Sequence, residues 1–290
     1  MYAVMGITGQ VGSAVAESLL AKGKKIRAIV RNPEKAAAWK ARGAEIAVAE
    51  STDAAALTQA FQNVEGVFAM NPPYFAPARN FPETRAVVAS IREALLAAAP
   101  PKAVYLSSVG AQQESGLGLI TSLHILEEEL RQLPIPGAFL RAAWFMENSV
   151  WDVPSARQGK LFSFLQPLDK TFPMVATADI GRAAAETLLQ SWTGQRFLEI
   201  AGPKRYSPND VTAAFAQVLK QPVESVVVPR ATWQDTFVSQ GTAPDRTAYR
   251  IEMLDGFNSG WIDFGAPGTE RFTGNVTLEE VLTTLINHVS

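Results

Sequence analysis

The segment GITGQVG, Gly6–Gly12, constrains the fold more than any other part of the chain. It follows the apolar run YAVM and precedes SAVAESLL, so three glycines at three-residue spacing stand where a strand ends and a helix begins. Glycine at such a junction permits a tight turn, a close backbone approach to a ligand and a short helix–strand distance. The N–H groups that open the helix favour negative charge beside them. The expectation is a dinucleotide-phosphate site, with Gly6, Gly9 and Gly12 shaping the turn and Thr8, Gln10 and Val11 completing its rim.

The same strand-then-helix rhythm recurs through the first half. KKIRAIVR, AEIAVAE, EGVFAMNPP, KAVYLSS and PGAFLRA read as strands. Helices are predicted near Gln10–Lys22, in NPEKAAAWKARG with Asn32 as cap, in DAAALTQAFQNV with Asp53 as cap, over Pro82–Ala99, and in SLHILEEELRQL. Short strands alternating with helices require parallel crossovers and a sheet covered on both faces. The fold class expected is α/β, a Rossmann-type doubly wound parallel sheet with ligands at the carboxyl ends of its strands.

Beyond about Trp151 the rhythm loosens. A short strand, a loop and a helix with Asp179 as its cap are read from GKLFSFLQPLDKTFPMVATADIGRAAAETLL. RFLEIAG and VESVVVP read as strands, and Ser207 or Asn209 begins the helix between them. The aromatic-bearing stretch Arg230–Phe264 suggests a lid or pocket, and TLEEVLTTLINHV a closing helix. The organisation expected is a NAD(P)-binding domain over residues 1–150 and a smaller, mixed, substrate-facing region over 151–290 that partly returns to the first sheet.

A chain of 290 residues can bury roughly 75% of its extended surface, enough for one large core. The formal net charge of -2, with no lysine- or arginine-rich run, argues against direct nucleic-acid binding. The absence of cysteine excludes a disulfide framework, a thiolate nucleophile and cysteine-held metal. His124 and His288 lie far apart, so no metal site is expected. MYAVMGITG lacks the basic and apolar segments of a secretory signal, and no apolar run reaches the roughly 20 residues that span a bilayer. A cytoplasmic protein with no membrane partner is the reading.

The second strand discriminates between cofactors. An NAD site calls for a carboxylate about 20 residues beyond the glycines, to hold the ribose hydroxyls. Here Arg31 stands nineteen residues after Gly12, with Lys35 in the following helix. Two cations suit the 2′-phosphate of NADPH, which a carboxylate would repel. Asn71, Pro72 and Pro73 end the fourth strand as a rigid wall beside the cofactor, and Ser107 ends the fifth near the nicotinamide.

Catalytic groups are sparse. Reductases of this architecture often polarise a carbonyl with serine, tyrosine and a lysine four residues beyond the tyrosine. After Tyr105, itself inside a strand, the next tyrosine is Tyr206, so that proton donor is missing. His124, on the helix after SSVGAQQESGLGLITS, is the candidate for proton handling, since free histidine titrates near ~6.5. Glu128 lies one helical turn on and is expected to orient it. Trp144, Phe145 and Asn148 follow the sixth strand and form a candidate wall for a planar substrate, with Phe164 and Phe172 supplied by the second region.

GITGQVG, VRNPEK at Val30–Lys35, SSVGA at Ser107–Ala111, FLRAAWFMEN at Phe139–Asn148 and VATADIGRAAAETLL at Val175–Leu189 together resemble the NmrA-like family of atypical short-chain dehydrogenase/reductases. The resemblance covers most of the chain. It implies a Rossmann domain with NADP at Gly6, Gly9 and Gly12, 2′-phosphate contacts at Arg31 and Lys35, and cofactor-flanking backbone at Asn71–Pro73. Isoflavone and benzylic ether reductases of the family use a lysine on the helix after the fifth strand. This chain has none between Lys102 and Lys160 and looks nearer the quinone-oxidoreductase-like and uncharacterised bacterial branch.

The function expected is an oxidoreductase that reduces a small planar electrophile, such as a quinone or enone, by direct hydride transfer from NADPH. A quinone needs less dedicated acid than a ketone, which fits the missing tyrosine. The alternative is an NADP(H)-binding redox sensor with little or no turnover. An isomerase or dehydratase holding NAD is disfavoured by Arg31, Lys35 and the missing tyrosine–lysine pair. The partner expected is a small-molecule substrate, with a homodimer or a regulatory protein left open.

Overall fold

The computed structural model describes residues 1–288. Its first half runs β1 (Tyr2–Val4), α1 (Gln10–Ala21), β2 (Ile26–Val30), α2 (Ala37–Ala41), β3 (Glu45–Val48) and α3 (Ala54–Phe61). It continues through β4 (Gly66–Ala69), α4 (Pro82–Ala98), β5 (Ala103–Ser108), α5 (Thr121–Leu130) and β6 (Gly137–Ala142). The second half opens with β7 (Trp144–Phe145), α6 (Val153–Ala156), β8 (Lys160–Ser163), β9 (Phe172–Val175), α7 (Thr177–Leu188) and β10 (Gln195–Ala201). It closes with β11 (Arg205–Tyr206), α8 (Pro208–Leu219), β12 (Glu224–Val227), α9 (Trp233–Ser239), α10 (Ala248–Ser259), β13 (Glu270–Thr273) and α11 (Leu278–His288).

Eight strands form the main sheet in the order β13-β10-β6-β5-β4-β1-β2-β3, and all pair in parallel. The strand order reverses between β1 and β4, which opens a crevice at the carboxyl edge there. The fold is therefore an α/β, Rossmann-type parallel sheet. A smaller set of strands accompanies it: β11-β9-β7, of mixed direction, and the pair β12-β8.

Apolar residues alternate between the faces of the sheet. Val4, Ala28, Phe68, Val104 and Leu140 meet α1 and α7 on one face. Ala3, Val67, Tyr105 and Phe139 meet α3, α4 and α5 on the other. A third core, centred on Phe215, Trp233, Phe237 and Phe257, lies mainly in the second half and takes in Val109, Ala111, Leu117 and Ile120 from the loop after β5. On the first face α7 packs so closely on α1 that a Cβ at Gly181 would overlap Ala14. No helix among the described residues is long and apolar enough to cross a membrane.

Several helix ends follow local chemistry. The Asp53 carboxylate accepts from Ala56 N at 2.9 Å, and the Asn32 side chain accepts from Glu34 N at 2.8 Å at the head of a 3-10 turn, Pro33–Ala36. Ser207, not Asn209, starts α8, with Asp210 returning the bond in a capping box.

Asp179 is not a cap. It lies within the first turn of α7, fully buried, and accepts from Val276 N at 3.0 Å and from Arg182 at 2.7 Å. The start of α7 is served instead by Glu147, whose Oε1 accepts from Thr177 N at 2.8 Å and Thr177 Oγ1 at 2.6 Å. A carboxylate thirty residues upstream does what the local aspartate does not.

β7, β9, β11 and β13 are strands that periodicity did not reveal. β7 and β11 are two residues long. β9 contains Pro173, which argues against strand on local grounds. β13, ERFT, is polar and mostly exposed, as suits the edge of a sheet.

Asp152 closes the 3-10 turn Met146–Asp152, against which α11 packs. Burial raises its carboxyl from an ordinary 3.8 to about 7. The folded state therefore holds a proton there that the unfolded chain releases near pH 4, and stability falls as pH rises between those values before levelling. Asp152→Asn removes this cost. Its melting temperature relative to the parent should be unchanged near pH 4 and higher by a few degrees above pH 7, read from thermal melts across that range.

Candidate active site

The glycine turn lies at the carboxyl end of β1. Gly6 adopts φ +68, and its carbonyl accepts from Gly9 N at 2.9 Å. A side chain at Gly6 would run into Met70, just past β4. Gly12 is packed against the backbone of Gly6 and Ile7 so closely that a Cβ would overlap the Gly6 carbonyl. The first helical bond is Ser13 N to Gly9 O at 3.0 Å, which leaves the N–H groups of Gln10, Val11 and Gly12 without partners inside the helix. No acidic residue occupies the first turn of α1. Gly6, Thr8, Gly9 and Gln10 are exposed, while the Val11 side chain is buried, so only its backbone faces the rim.

Arg31 follows β2, the strand beside β1, and Lys35 lies in the 3-10 turn that comes next. Both are exposed, and neither forms an ion pair or side-chain hydrogen bond among the described residues. This combination of a narrow glycine cradle, free N–H donors and two free cations fits a dinucleotide carrying an extra phosphate.

Asn71, Pro72 and Pro73 follow β4 on the other side of β1. The Asn71 side chain is buried; its Nδ2 donates to Thr84 Oγ1 at 3.3 Å and its Oδ1 has no partner among the described residues. Pro72 is half-buried and Pro73 exposed, so these two line the rim while Asn71 braces it from within.

Ser107, near the end of β5, faces inward. Its hydroxyl donates to Glu127 Oε1 at 2.5 Å, and Arg141 of β6 donates to both oxygens of Glu127, Nε to Oε1 at 2.9 Å and Nη2 to Oε2 at 2.6 Å. All three are buried, and the Arg141 guanidinium stacks 4.5 Å above the Phe197 ring. The Ser107 side chain is thus spent on structure, and only its main chain remains for a ligand at this edge. Tyr105 is equally withdrawn: its phenol is fully buried without a partner among the described residues, and burial pushes its ionisation upward.

His124 lies in the first turns of α5, half-buried. Its Nδ1–H donates to the carbonyl of Ala111 at 2.9 Å, in the loop after β5. That bond orients the ring and leaves Nε2 as the atom able to accept or deliver a proton. Glu128 does not orient it, because its carboxylate pairs with Arg131 at 2.7 Å. The bonded partner is a main-chain carbonyl, invisible to any search for side-chain spacing.

The aromatic candidates separate. Trp144 and Phe145 form β7 just beyond β6, half-buried, with Trp144 edge-on to Phe257 at 5.2 Å. Asn148 is exposed on the turn after them. Phe164 follows β8, outside the main sheet, and its ring is taken up by Phe237 at 5.1 Å and Trp233 at 5.8 Å. Phe172 is core. The parallel sheet brings the glycine turn, Arg31, Asn71–Pro73, the end of β5 and Trp144–Asn148 to one edge, and Phe164 is not brought there by it.

Two residues of the stretch Arg230–Phe264, read from the sequence as a lid or pocket though neither was singled out, also converge on this edge. Tyr249 of α10 accepts from Asn80 N at 3.4 Å and packs its ring 4.6 Å from Phe81. Glu252 accepts from Gly118 N at 3.0 Å. Nothing local in AYRIEMLDGF announces either contact, since the partners lie more than 130 residues away.

The geometry agrees with comparison to known proteins. A model of the NmrA-like family matches residues 2–258. Quinone oxidoreductase 2 of Escherichia coli (strain K12) is 30% identical over 223 residues, 76% of this chain and 74% of that protein. An NAD(P)H azoreductase of Xenophilus azovorans is 24% identical over 229 residues, 79% of this chain and 77% of the azoreductase. The crystal structure of the E. coli NADPH-dependent quinone oxidoreductase complexed with NADPH aligns with a TM-score of 0.81 at 26% identity, covering 99% of this chain and 100% of that one. The chain belongs to the NmrA-like family.

Proposed function

We propose that this protein is an NADPH-dependent oxidoreductase that reduces a small planar electrophile, such as a quinone or enone. One observation carries the reading: the glycine cradle and two cations unpaired among the described residues sit side by side on an edge shared with a relative crystallised with NADPH. The kinship to a quinone oxidoreductase and to an azoreductase, over three-quarters of the chain in each case, supports a flat, electron-poor acceptor.

The N–H groups of Gln10, Val11 and Gly12 would hold the diphosphate, Arg31 and Lys35 the 2′-phosphate, and the Asn71–Pro73 backbone would border the ribose. When bound, NADPH supplies a hydride. Trp144 and Phe145 would present an apolar wall to the acceptor, excluding water and holding it flat. His124, oriented by Ala111, would hand a proton from Nε2 of its imidazolium form to the reduced oxygen and take its replacement from solvent. Tyr105 and Ser107, both buried, do not compete for that step.

Arg31→Ala should raise the Kd for NADPH about 10- to 100-fold, the worth of one charge-assisted contact, and leave NADH little changed. Fluorescence titration with both cofactors reads this, and parent protein that binds NADH as tightly as NADPH would overturn the assignment. His124→Ala should lower kcat/KM for a naphthoquinone about 100-fold while NADPH affinity holds. Unchanged turnover would remove His124 from the chemistry. Saturable NADPH binding with no oxidation across a panel of quinones, enones and azo compounds would favour a sensor instead.

A further inference from the structure

We propose that Tyr249 is a positioning residue for this site, joining the two loops that border the acceptor; the inference rests on the reductase reading above. The loop after β4 carries Asn71–Pro73, and the loop after β5 carries Ala111, the anchor of His124. Among the described residues no hydrogen bond joins these two loops directly. Each is held by α10, and Tyr249 touches both.

On the β4 side, the Tyr249 oxygen accepts from Asn80 N and its ring packs on Phe81. Asn80 and Phe81 have φ of 64 and 55, consecutive residues in the left-handed region. A phenylalanine is rarely found there, and such conformations persist only where the surroundings over-determine them. Phe81 is 3% exposed and stands at the head of α4, so its placement sets where the loop meets that helix. One turn before Tyr249, Arg246 donates to Ala76 O at 3.1 Å and steadies the middle of the same loop.

On the β5 side, the main chain of α10 rests directly on Gly118. A Cβ there would overlap the carbonyl of Tyr249 and the amide of Met253, and Gly118 has φ +54. Gly118 opens the 3-10 turn that leads into α5 and His124. The side chain of Tyr249 therefore fixes one wall while its backbone abuts the other. The glycine turn and Arg31 make no hydrogen bond to α10, so the phosphate end of the cofactor is outside this linkage.

The test compares the full-length parent with Tyr249→Ala and Tyr249→Phe in three measurements: NADPH Kd, kcat and KM for 1,4-naphthoquinone, and hydrogen exchange of residues 72–81 and 110–118. Tyr249→Ala should lower kcat/KM for the quinone about 10-fold or more, keep NADPH Kd within about 2-fold, and speed exchange in residues 72–81, while residues 110–118, which rest on the α10 main chain and Glu252, hold theirs. Tyr249→Phe keeps the ring on Phe81 and should stay within about 3-fold of the parent. Should the alanine variant not fold, Tyr249→Leu, which keeps bulk without the aromatic packing, is read in its place against the same expectations. Unchanged exchange in residues 72–81, or an equal loss in NADPH affinity, would overturn the proposal. The exchange measurement needs no turnover, so a parent that oxidises no NADPH would sink the reductase reading while the coupling is still decided by exchange.

Discussion

Everything at the carboxyl edge depends on the closeness of α1 to the turn that precedes it. Position 12 admits nothing larger than hydrogen because the Gly6 carbonyl occupies the space a Cβ would need. With that contact made, the helix begins at the strand end, its unpaired N–H groups face the crevice between β1 and β4, and Gly6 itself lies against Met70. A second close approach continues the stack on the same face, where Gly181 of α7 meets Ala14 of α1. Two glycine contacts thus bring α1 in tight against its turn and α7 in tight against α1.

Buried carboxylates tie the second half of the chain to this frame. Glu199 of β10 accepts from Gly265 N at 2.7 Å, Asp179 from Val276 N, and Glu147 from Thr177. Each is a carboxyl oxygen meeting a main-chain donor in a low-dielectric interior, where such a bond is stronger than in water. Within the first half, Glu127 of α5 accepts instead from two side chains, Arg141 of β6 and Ser107 of β5. Breaking any one would leave a buried charge or donor unpaired, so these bonds specify where the loops sit as well as holding them. They also explain why an inward-facing serine is a poor candidate for catalysis here.

The edge divides into two halves of different construction. The half suited to phosphates is made of main-chain N–H groups and exposed cations from the first 35 residues, all near one another in sequence. The half suited to an acceptor is assembled from the ends of β4, β5 and β6 and from α10, elements spread from Asn71 to Ser259. The first needs only a strand, a turn and a helix. The second needs the sheet closed and α10 seated before its parts meet.

That division decides what was legible beforehand. The order of β1 to β6 with their helices, the caps at Asp53 and Asn32, the glycine turn and the Arg31–Lys35 pair are local patterns, set by hydrophobic period, backbone sterics and charge. Four strands escaped because they are two residues long, contain proline or are polar at a sheet edge. The role of Asp179, the inward turn of Ser107, the Ala111 carbonyl behind His124 and the meeting of Tyr249 with Asn80 were decided by tertiary structure alone. Each depends on a partner outside its own element, from 13 to 169 residues away and often a main-chain atom, and main-chain atoms are nearly alike in all residues and leave little mark in a sequence.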